Sequence, residues 1–165
     1  MNTKVLAVAC IGASLGMAQP AQAVTVSKLM PASGGGACQL SVPTTDTKIR
    51  PKATGMRNEG TANAFVICNA LGVRSSSTLT SVFVDFNSFD ASTHTFNCTM
   101  ASSFNTVDVE YLTKSVSVST DTQVTFDAAE MPDGGFRRYN TLTCILPPGA
   151  AINGLQPQFN DEVGA

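Results

Sequence analysis

The sequence predicts an all-β protein, an antiparallel β-sandwich that is jelly-roll-like or Ig-like and is stabilised by disulfides. Short runs rich in Val, Phe, Thr and Ile alternate with stretches of Gly, Asn, Asp, Ser and Pro, and helical periodicity is almost absent. Apolar and polar side chains alternate at residues 82–86 and 107–111, as they do in half-buried strands. The chain contains no tryptophan, the residue that centres an antibody-like domain, so a jelly-roll topology is at least as compatible with the pattern.

Each strand is predicted from a short apolar or alternating run bounded by turn residues. The predicted strands span residues 64–71, 79–86, 93–100, 107–112, 115–119, 123–126, 141–146 and 152–159. A short helix is predicted between strands at residues 127–131. Residues 31–36 read Pro-Ala-Ser-Gly-Gly-Gly, which predicts a flexible stretch without regular structure.

The first 23 residues predict a secretory signal peptide. One lysine precedes an apolar run from Val5 to about Ala18, and Ala21-Gln22-Ala23 forms a small-x-small cleavage site. The run is shorter than the ~20 residues of a spanning helix, which argues against a membrane anchor there. No second apolar segment follows in the sequence, so no transmembrane segment is expected after cleavage. We therefore expect a flexible Gly- and Pro-containing N-terminal segment at 24–37, one sandwich domain at 38–165, and a secreted or periplasmic location. Acylation of Cys10, which would anchor the protein to lipid, is the alternative.

The cysteines after the leader predict two disulfides. They are Cys38, Cys68, Cys98 and Cys144, an even number in an exported chain. Zinc sites group cysteines in close pairs, and these cysteines are far apart in sequence. Three pairings are possible, of which we select Cys38 with Cys68 and Cys98 with Cys144.

The stretch CILPPGAAING, which starts at Cys144, predicts a structural corner. Pro147 and Pro148 cannot donate backbone hydrogen bonds, so strand pairing must stop or move to an edge there. Gly149 then allows a tight turn into the last strand.

Charge excludes a general nucleic-acid binder. Removing the leader takes away one lysine of the 10 basic residues and leaves 9 against 12 acidic ones, a net charge of −3. The charge is uneven, because residues 24–57 carry five cations against Asp46 alone. We interpret this segment as a solvated basic arm, with a specific anion site as the alternative.

The residues that most hydrolytic mechanisms need are scarce. His94 is the one histidine, and no nucleophile motif points to it, so a structural or surface role is favoured over catalysis. Asp108 and Glu110 share a predicted strand and could act as a carboxylate pair, but outward polar residues are normal on strands. No catalytic residue and no cofactor is predicted.

No metal site is predicted with a recognised spacing. The weak calcium candidates are Asp85, Asn87 and Asp90, whose oxygens suit Ca²⁺ but lack the pattern of a calcium-binding loop.

The strongest binding candidate is the segment MPDGGFRRY at residues 131–139. Its Pro-Asp-Gly-Gly turn presents Phe136, Arg137, Arg138 and Tyr139 together. Aromatic rings beside arginines suit a sugar or an anionic partner, and they are equally compatible with a structural role beside an ordinary hairpin turn.

The chain resembles a class of secreted proteobacterial proteins of uncharacterised function. The resemblance rests on NEGTANAFVICNAL from Asn58, on FNCTM around Cys98 and on TLTCILPPGAAI from Thr141. Members combine an Asn…Val-x-Cys motif with a later Cys-x-Leu-Pro-Pro-Gly motif, and this chain departs at Asn69, where the class carries proline. The resemblance implies a cysteine-bridged β-sandwich without an assigned activity.

The function expected from these observations is that of an exported, non-enzymatic β-sandwich that binds a glycan or an envelope protein. The alternatives are a structural subunit of a fimbria or surface fibre, and a small secreted hydrolase. The acidic C-terminal sequence FNDEVGA argues against the fibre subunit, because such subunits tend to end in an alternating apolar strand.

Overall fold

A computed structural model describes residues 23–41, 48–70 and 77–163. The elements in chain order are β1 (Val24–Leu29), β2 (Ala32–Ser33), α1 (Gly34–Ala37), β3 (Cys38–Leu40), β4 (Ile49–Lys52), β5 (Gly55–Asn58), β6 (Ala64–Asn69), β7 (Ser77–Ser88), β8 (His94–Ser103), β9 (Val109–Val118), β10 (Thr122–Asp127), the 3₁₀ helix η1 (Ala128–Glu130), β11 (Tyr139–Leu146) and β12 (Ala150–Val163). The leader and Cys10 lie outside the described residues, so signal cleavage and acylation stay predictions. In the part of the chain that the structure describes, no helix is long and apolar enough to cross a membrane.

The strands form two antiparallel sheets. Sheet A has the order β10-β7-β12-β5-β4, and β1 and β2 also pair with β12. Sheet B has the order β3-β6-β11-β8-β9. From β5 onward the chain passes back and forth between the sheets, so that β5-β12-β7-β10 stands against β6-β11-β8-β9. This is the strand order of a jelly roll, which confirms the predicted β-sandwich and selects between the two topologies that the sequence left open.

The core lies between the sheets because alternate residues of each strand point inward. Phe86 on β7 and Phe96 on β8 meet edge to face across the interface, with ring centroids 5.6 Å apart. Around them the largest fully buried side chains include Phe126, Met56, Leu79, Met100, Leu142, Leu146, Ile152 and Leu155. Burial of this apolar surface is the main term that holds the sheets together.

Both disulfides lie on the inward side of sheet B. They join Cys38 to Cys68 and Cys98 to Cys144, which is the pairing selected from the sequence. Each bridge links residues directly opposite one another, on β3 and β6 in one case and on β8 and β11 in the other. The bridges therefore fasten neighbouring strands of one sheet and do not join the two sheets.

The prediction of a flexible segment at 24–37 is wrong. β1 pairs with the last six residues of β12, and β2 pairs with Gly154 and Leu155. The short helix α1 follows, and the Ser33 hydroxyl caps it by accepting from the Gly36 N–H at 3.2 Å. A side chain at Gly34 or Gly35 would overlap a backbone carbonyl of Ile152 or Lys52. The glycines here permit close packing of backbone against backbone.

The other predicted elements agree with the structure at their centres. The predicted helix at 127–131 is η1. The two predicted strands at 107–112 and 115–119 are one continuous strand, β9. The hairpin of β4 and β5 was not predicted, because its sequences IRPK and GMRN are rich in charge and lack an apolar alternation.

Candidate functional site

The outward side of sheet B differs from an ordinary solvated sheet surface, because no residue on it among the described strands is charged. We call this side the neutral face. It consists of Gln39 on β3, Phe65, Ile67 and Asn69 on β6, Tyr139, Thr141, Thr143 and Ile145 on β11, Thr95, Asn97, Thr99, Ala101 and Ser103 on β8, and Val109, Tyr111, Thr113, Ser115 and Ser117 on β9. Outward sheet positions normally carry Lys, Glu, Arg or Asp, so this composition calls for an explanation beyond solubility.

Three aromatic rings stand exposed on the neutral face. Phe65, Tyr111 and Tyr139 expose 54%, 60% and 52% of their surface. Tyr139 is on β11 and Tyr111 is on β9, with β8 between them. Along the strand direction the two residues are offset by two positions, which places their Cα atoms about 12 Å from each other. Phe65 lies at the opposite corner, about 20 Å from Tyr111 by the same geometry. The rings are thus spread along an extended surface.

Hydroxyl and amide groups fill the space between the rings. Thr143, Thr99 and Thr113 stand side by side on three neighbouring strands, and the hydroxyls of Thr99 and Thr113 are 2.8 Å apart in a hydrogen bond. Asn69 and Thr141 form the next pair toward the Tyr139 end. These groups donate and accept without charge, so they can bond to neutral polar ligands.

Two depressions open on this face. The larger, about 640 Å³, lies at the β3 edge and includes Gln39, Asn69, Tyr139 and Thr141 in its wall. The smaller, about 340 Å³, lies near Asn97, Ile145 and Pro147. Asn140 also borders the larger cleft, and its buried Oδ1 has no hydrogen-bond partner among the described residues.

The loop before Tyr139 is held by Arg137. This side chain is only 12% exposed and forms ion pairs with Asp108, Glu110 and Asp133, the last at 2.7 Å. Its backbone N–H donates to the buried Ser102 hydroxyl at 2.6 Å. The hydrogen bonds that the Arg137 guanidinium donates to Asp108 and Asp133 raise the pKa of Arg137, so the guanidinium stays charged. Asp108 and Glu110, considered above as a catalytic pair, serve here as partners of an arginine.

The carboxylates around Arg137 are not equivalent. A hydrogen bond with Asp133, together with burial, raises the pKa of Glu110. The same bond and the Arg137 guanidinium lower the pKa of Asp133. The Asp133 N–H also donates to the Glu110 carboxylate at 3.4 Å, so the cluster braces the loop against β9.

The four predicted binding residues at 136–139 separate in the structure. Phe136 packs partly against the core, and Arg137 is committed to its three carboxylates. Arg138 is exposed and lies over the Tyr139 ring at 5.5 Å, so these two residues remain available at the margin of the neutral face.

Phe65 and Tyr111 were missed by the sequence reasoning, although a signal for each was present. Phe65 and Cys68 are three residues apart on one predicted strand, so burial of a bridged Cys68 points Phe65 outward. Tyr111 was grouped with Val107 and Val109 as the apolar side of a strand. That interpretation is wrong, because Val107 precedes β9 and Tyr111 is on its outward side.

Ser88, Asp90 and His94 lie together but are not arranged as a nucleophilic triad. The Asp90 carboxylate accepts from the Ser88 hydroxyl at 3.0 Å and lies 2.8 Å from His94 Nε2. Asp90 is thus in the middle, whereas a triad needs the histidine between the serine and the acid. Hydrogen bonds from the Ser92 N–H and from His94 lower the pKa of Asp90 to about 2. The cluster fixes the turn between β7 and β8, which agrees with the structural role expected for His94.

The weak calcium candidates do not converge. Asp85 accepts from Gln123 at 2.8 Å and from Gln156 at 2.6 Å on the outward side of sheet A. Asn87 donates to Asp121, and Asp90 belongs to the turn cluster. Within residues 23–41, 48–70 and 77–163, no three acidic, histidine or cysteine side chains are placed to hold a metal ion. The structure thus places the three candidates in separate hydrogen-bonded settings, and the calcium hypothesis stays a weak prediction.

The corner residues and the Asn58 motif form one hydrogen-bonded unit. Asn58 is fully buried, and its Nδ2 donates to the carbonyl of Leu146 at 2.8 Å and to that of Ala62 at 2.9 Å. The Gly149 N–H donates to the Asn58 carbonyl at 3.0 Å. Gly149 has φ of +84°, and a methyl group there would overlap the Asp90 carboxylate. These motif residues therefore close the end of the sandwich.

Comparison with known proteins gives a fold likeness only. No family model matches the chain, and no curated protein matches it. A crystal structure of Podospora anserina GH26-CBM35 β-(1,4)-mannanase is similar with TM-score 0.38 and 10% identity over 83% of this chain, which spans 28% of the mannanase chain. A family 11 carbohydrate-binding module from Clostridium thermocellum, in complex with a β-1,3-1,4-mixed-linked tetrasaccharide, has TM-score 0.40 and 13% identity over 87% of this chain and 88% of its own. The resemblance to the secreted proteobacterial class stays a prediction.

Proposed function

We propose that this protein is an exported, non-catalytic module that binds a neutral polysaccharide on the neutral face. The observation that carries the proposal is a sheet surface with three exposed aromatic rings and no charge. Sugar rings present apolar C–H faces, which stack on aromatic side chains, and a rim of hydroxyls, which bond to Thr, Ser, Asn and Gln. An acidic or basic ligand would call for opposite charges, and the described strand residues of this face carry none.

The length of the face favours a chain over a single sugar. Tyr139, Tyr111 and Phe65 span about 20 Å across the sheet, so one extended polymer can contact more than one ring. Contacts in series also allow useful affinity from individually weak interactions. The disulfides support a location outside the cytoplasm, since such bonds persist in oxidising compartments.

The proposal is tested by affinity electrophoresis through gels that contain soluble neutral polysaccharides, such as hydroxyethylcellulose, mixed-linked β-glucan and galactomannan. We expect retardation in at least one gel. Tyr111→Ala and Tyr139→Ala should each weaken binding about tenfold, the effect of losing roughly 1.4 kcal/mol of contact energy. Tyr111→Phe, which keeps the ring, should bind nearly as wild type.

The matched control is Phe89→Ala, which removes a partly exposed ring away from the neutral face. Circular dichroism of each variant checks that the fold is retained. Absence of retardation in every neutral gel, or equal retardation of wild type and both tyrosine variants, would show that this face does not bind polysaccharide.

A further inference from the structure

The larger cleft on the neutral face exists because the edge strand of sheet B is short. β6 continues to Asn69, past the position where Cys38 at the start of β3 pairs with Cys68. Before Cys38 the chain forms α1, which packs against sheet A, and Gly36 and Ala37 bring little bulk to the cleft wall. The volume of about 640 Å³ lies in the range of about 300–1,000 Å³ that small-ligand sites occupy.

The cleft continues a line that two of the rings form across the neutral face. In sheet B, β11 has β8 and β9 on one side and β6 and β3 on the other. Tyr139 on β11 is part of the cleft wall, and Tyr111 lies on the far side, on β9. Gln39 is two strands beyond β11, which is about 10 Å at the usual strand spacing. A polymer that crosses the strands over Tyr111 and Tyr139 therefore reaches the cleft next.

The cleft wall carries neutral hydrogen-bonding groups. Gln39, Asn69 and Thr141 contribute amides and a hydroxyl to it. Asn140 also borders the cleft and is only 2% exposed. Its Nδ2 donates to the Arg137 carbonyl at 2.8 Å, whereas its Oδ1 has no hydrogen-bond partner among the described residues. A buried acceptor without a donor costs stability, so the fold alone does not explain an asparagine at this position.

We propose that this cleft is a subsite that selects among neutral polysaccharides through hydrogen bonds to one sugar unit, an inference that rests on the function proposed for the neutral face. The exposed rings stack on any sugar that presents an apolar side, so they discriminate little. A site with fixed hydrogen-bonding groups rejects a ligand that lacks the matching hydroxyl. One hydroxyl of the bound unit donates to Asn140 Oδ1, and Gln39 and Thr141 bond to others. Because Oδ1 is shielded from solvent, this contact requires the Asn140 side chain to tip toward the cleft.

The test compares dissociation constants for hydroxyethylcellulose, mixed-linked β-glucan and galactomannan, measured in the affinity gels. We expect wild type to prefer one polymer. Gln39→Ala and Thr141→Val, the two cleft variants, should each reduce that preference about threefold or more, the effect of losing one neutral hydrogen bond. Tyr111→Ala should weaken binding of every retained polymer by a similar factor and keep the preference. Thr125→Val on β10 of sheet A is the matched control for Thr141→Val and should change neither.

Asn140 is followed without substitution, because Asn140→Ala would also remove the bond to the Arg137 carbonyl and weaken the fold. In isotope-labelled protein, the Nδ2 amide resonances of Asn140 should shift in NMR spectra when a tetrasaccharide prepared from the preferred polymer is added. Such a shift reports the contact at the floor of the cleft independently of the two cleft variants.

Three results would overturn the subsite. They are equal affinity of wild type for all retained polymers, an unchanged preference in both cleft variants, and Asn140 resonances that do not move on addition of the tetrasaccharide. In each of these cases retardation by a neutral polymer still supports the function proposed for the neutral face. Absence of retardation in every gel would instead refute that function and the subsite together.

Discussion

Asn58→Ala should lower the free energy of unfolding by about 3 kcal/mol. The side chain is fully buried and makes three hydrogen bonds, two as donor to the carbonyls of Leu146 and Ala62 and one as acceptor from the Gly60 N–H. The Leu146 carbonyl is buried, and leaving it unpaired costs about 1–3 kcal/mol. The other two groups are partly buried and can recover water, so each loses about 0.5–1 kcal/mol.

Equilibrium urea unfolding, followed by circular dichroism, measures this loss. With a slope near 2 kcal/mol/M, as expected for a domain of this size, the midpoint should fall by about 1.5 M and the slope should stay unchanged. Asn58→Asp separates hydrogen bonding from volume. It keeps the acceptor for Gly60 but places an oxygen against the Leu146 carbonyl, so it should destabilise about as much as alanine.

Asn97→Ala is the control, since it removes an exposed asparagine from a strand, where such changes stay within about 0.5 kcal/mol. A loss below about 1 kcal/mol for Asn58→Ala, with an unchanged slope, would refute the view that Asn58 closes the end of the sandwich through the Leu146 carbonyl.

Four further outcomes are expected. Gly149→Ala should destabilise by about 2 kcal/mol or more in urea unfolding, because alanine is strained at φ +84° and its methyl group would meet the Asp90 carboxylate; a neutral effect would contradict this. Cys98→Ser/Cys144→Ser opens a bridge with a separation of 46 residues, and should cost about 4 kcal/mol in the same assay. The pKa of Asp90 is lowered to about 2, so the carboxylate's contribution to stability is complete above about pH 4 and is lost as pH falls toward 2. In urea unfolding between pH 4 and 2, the free energy of unfolding should therefore fall less for Asp90→Asn than for wild type. Arg137→Gln leaves three carboxylates without their cation, so the thermal midpoint of unfolding should fall. The fall should be smaller in 1 M NaCl, where the repulsion between the carboxylates is screened. A fall that is independent of salt would rule out the electrostatic explanation.

The central strands could be predicted because each has one buried and one outward side. β7, β8 and β11 alternate buried and half-exposed residues along most of their length, and this pattern is visible in sequence. β1 has no such pattern, since all six of its residues are exposed and its pairing rests on backbone hydrogen bonds. The triple glycine at 34–36 was interpreted as flexible because sequence alone does not show which backbone will lie against it.

Of the three exposed rings of the candidate site, only Tyr139 could be predicted from the sequence. Tyr139 was recognised through the turn that precedes it, whereas the other two rings required knowledge of which side of each strand faces out. The neutral face also depends on strand order, because residues from five strands meet only after the chain has crossed between sheets. Arg137 shows the reverse error, since an arginine beside aromatics looked free to bind until the fold surrounded it with carboxylates.

The pairing of β1 with the end of β12 has a mechanical consequence. Val24 lies opposite Val163, so the first and last described strands run side by side in opposite directions and their outer ends meet. A force that pulls these two ends apart loads the hydrogen bonds between the strands one after another, as in a zipper, and not all at once in shear. β1 should therefore peel away at low force, before the load reaches β3 and the Cys38–Cys68 bridge of sheet B.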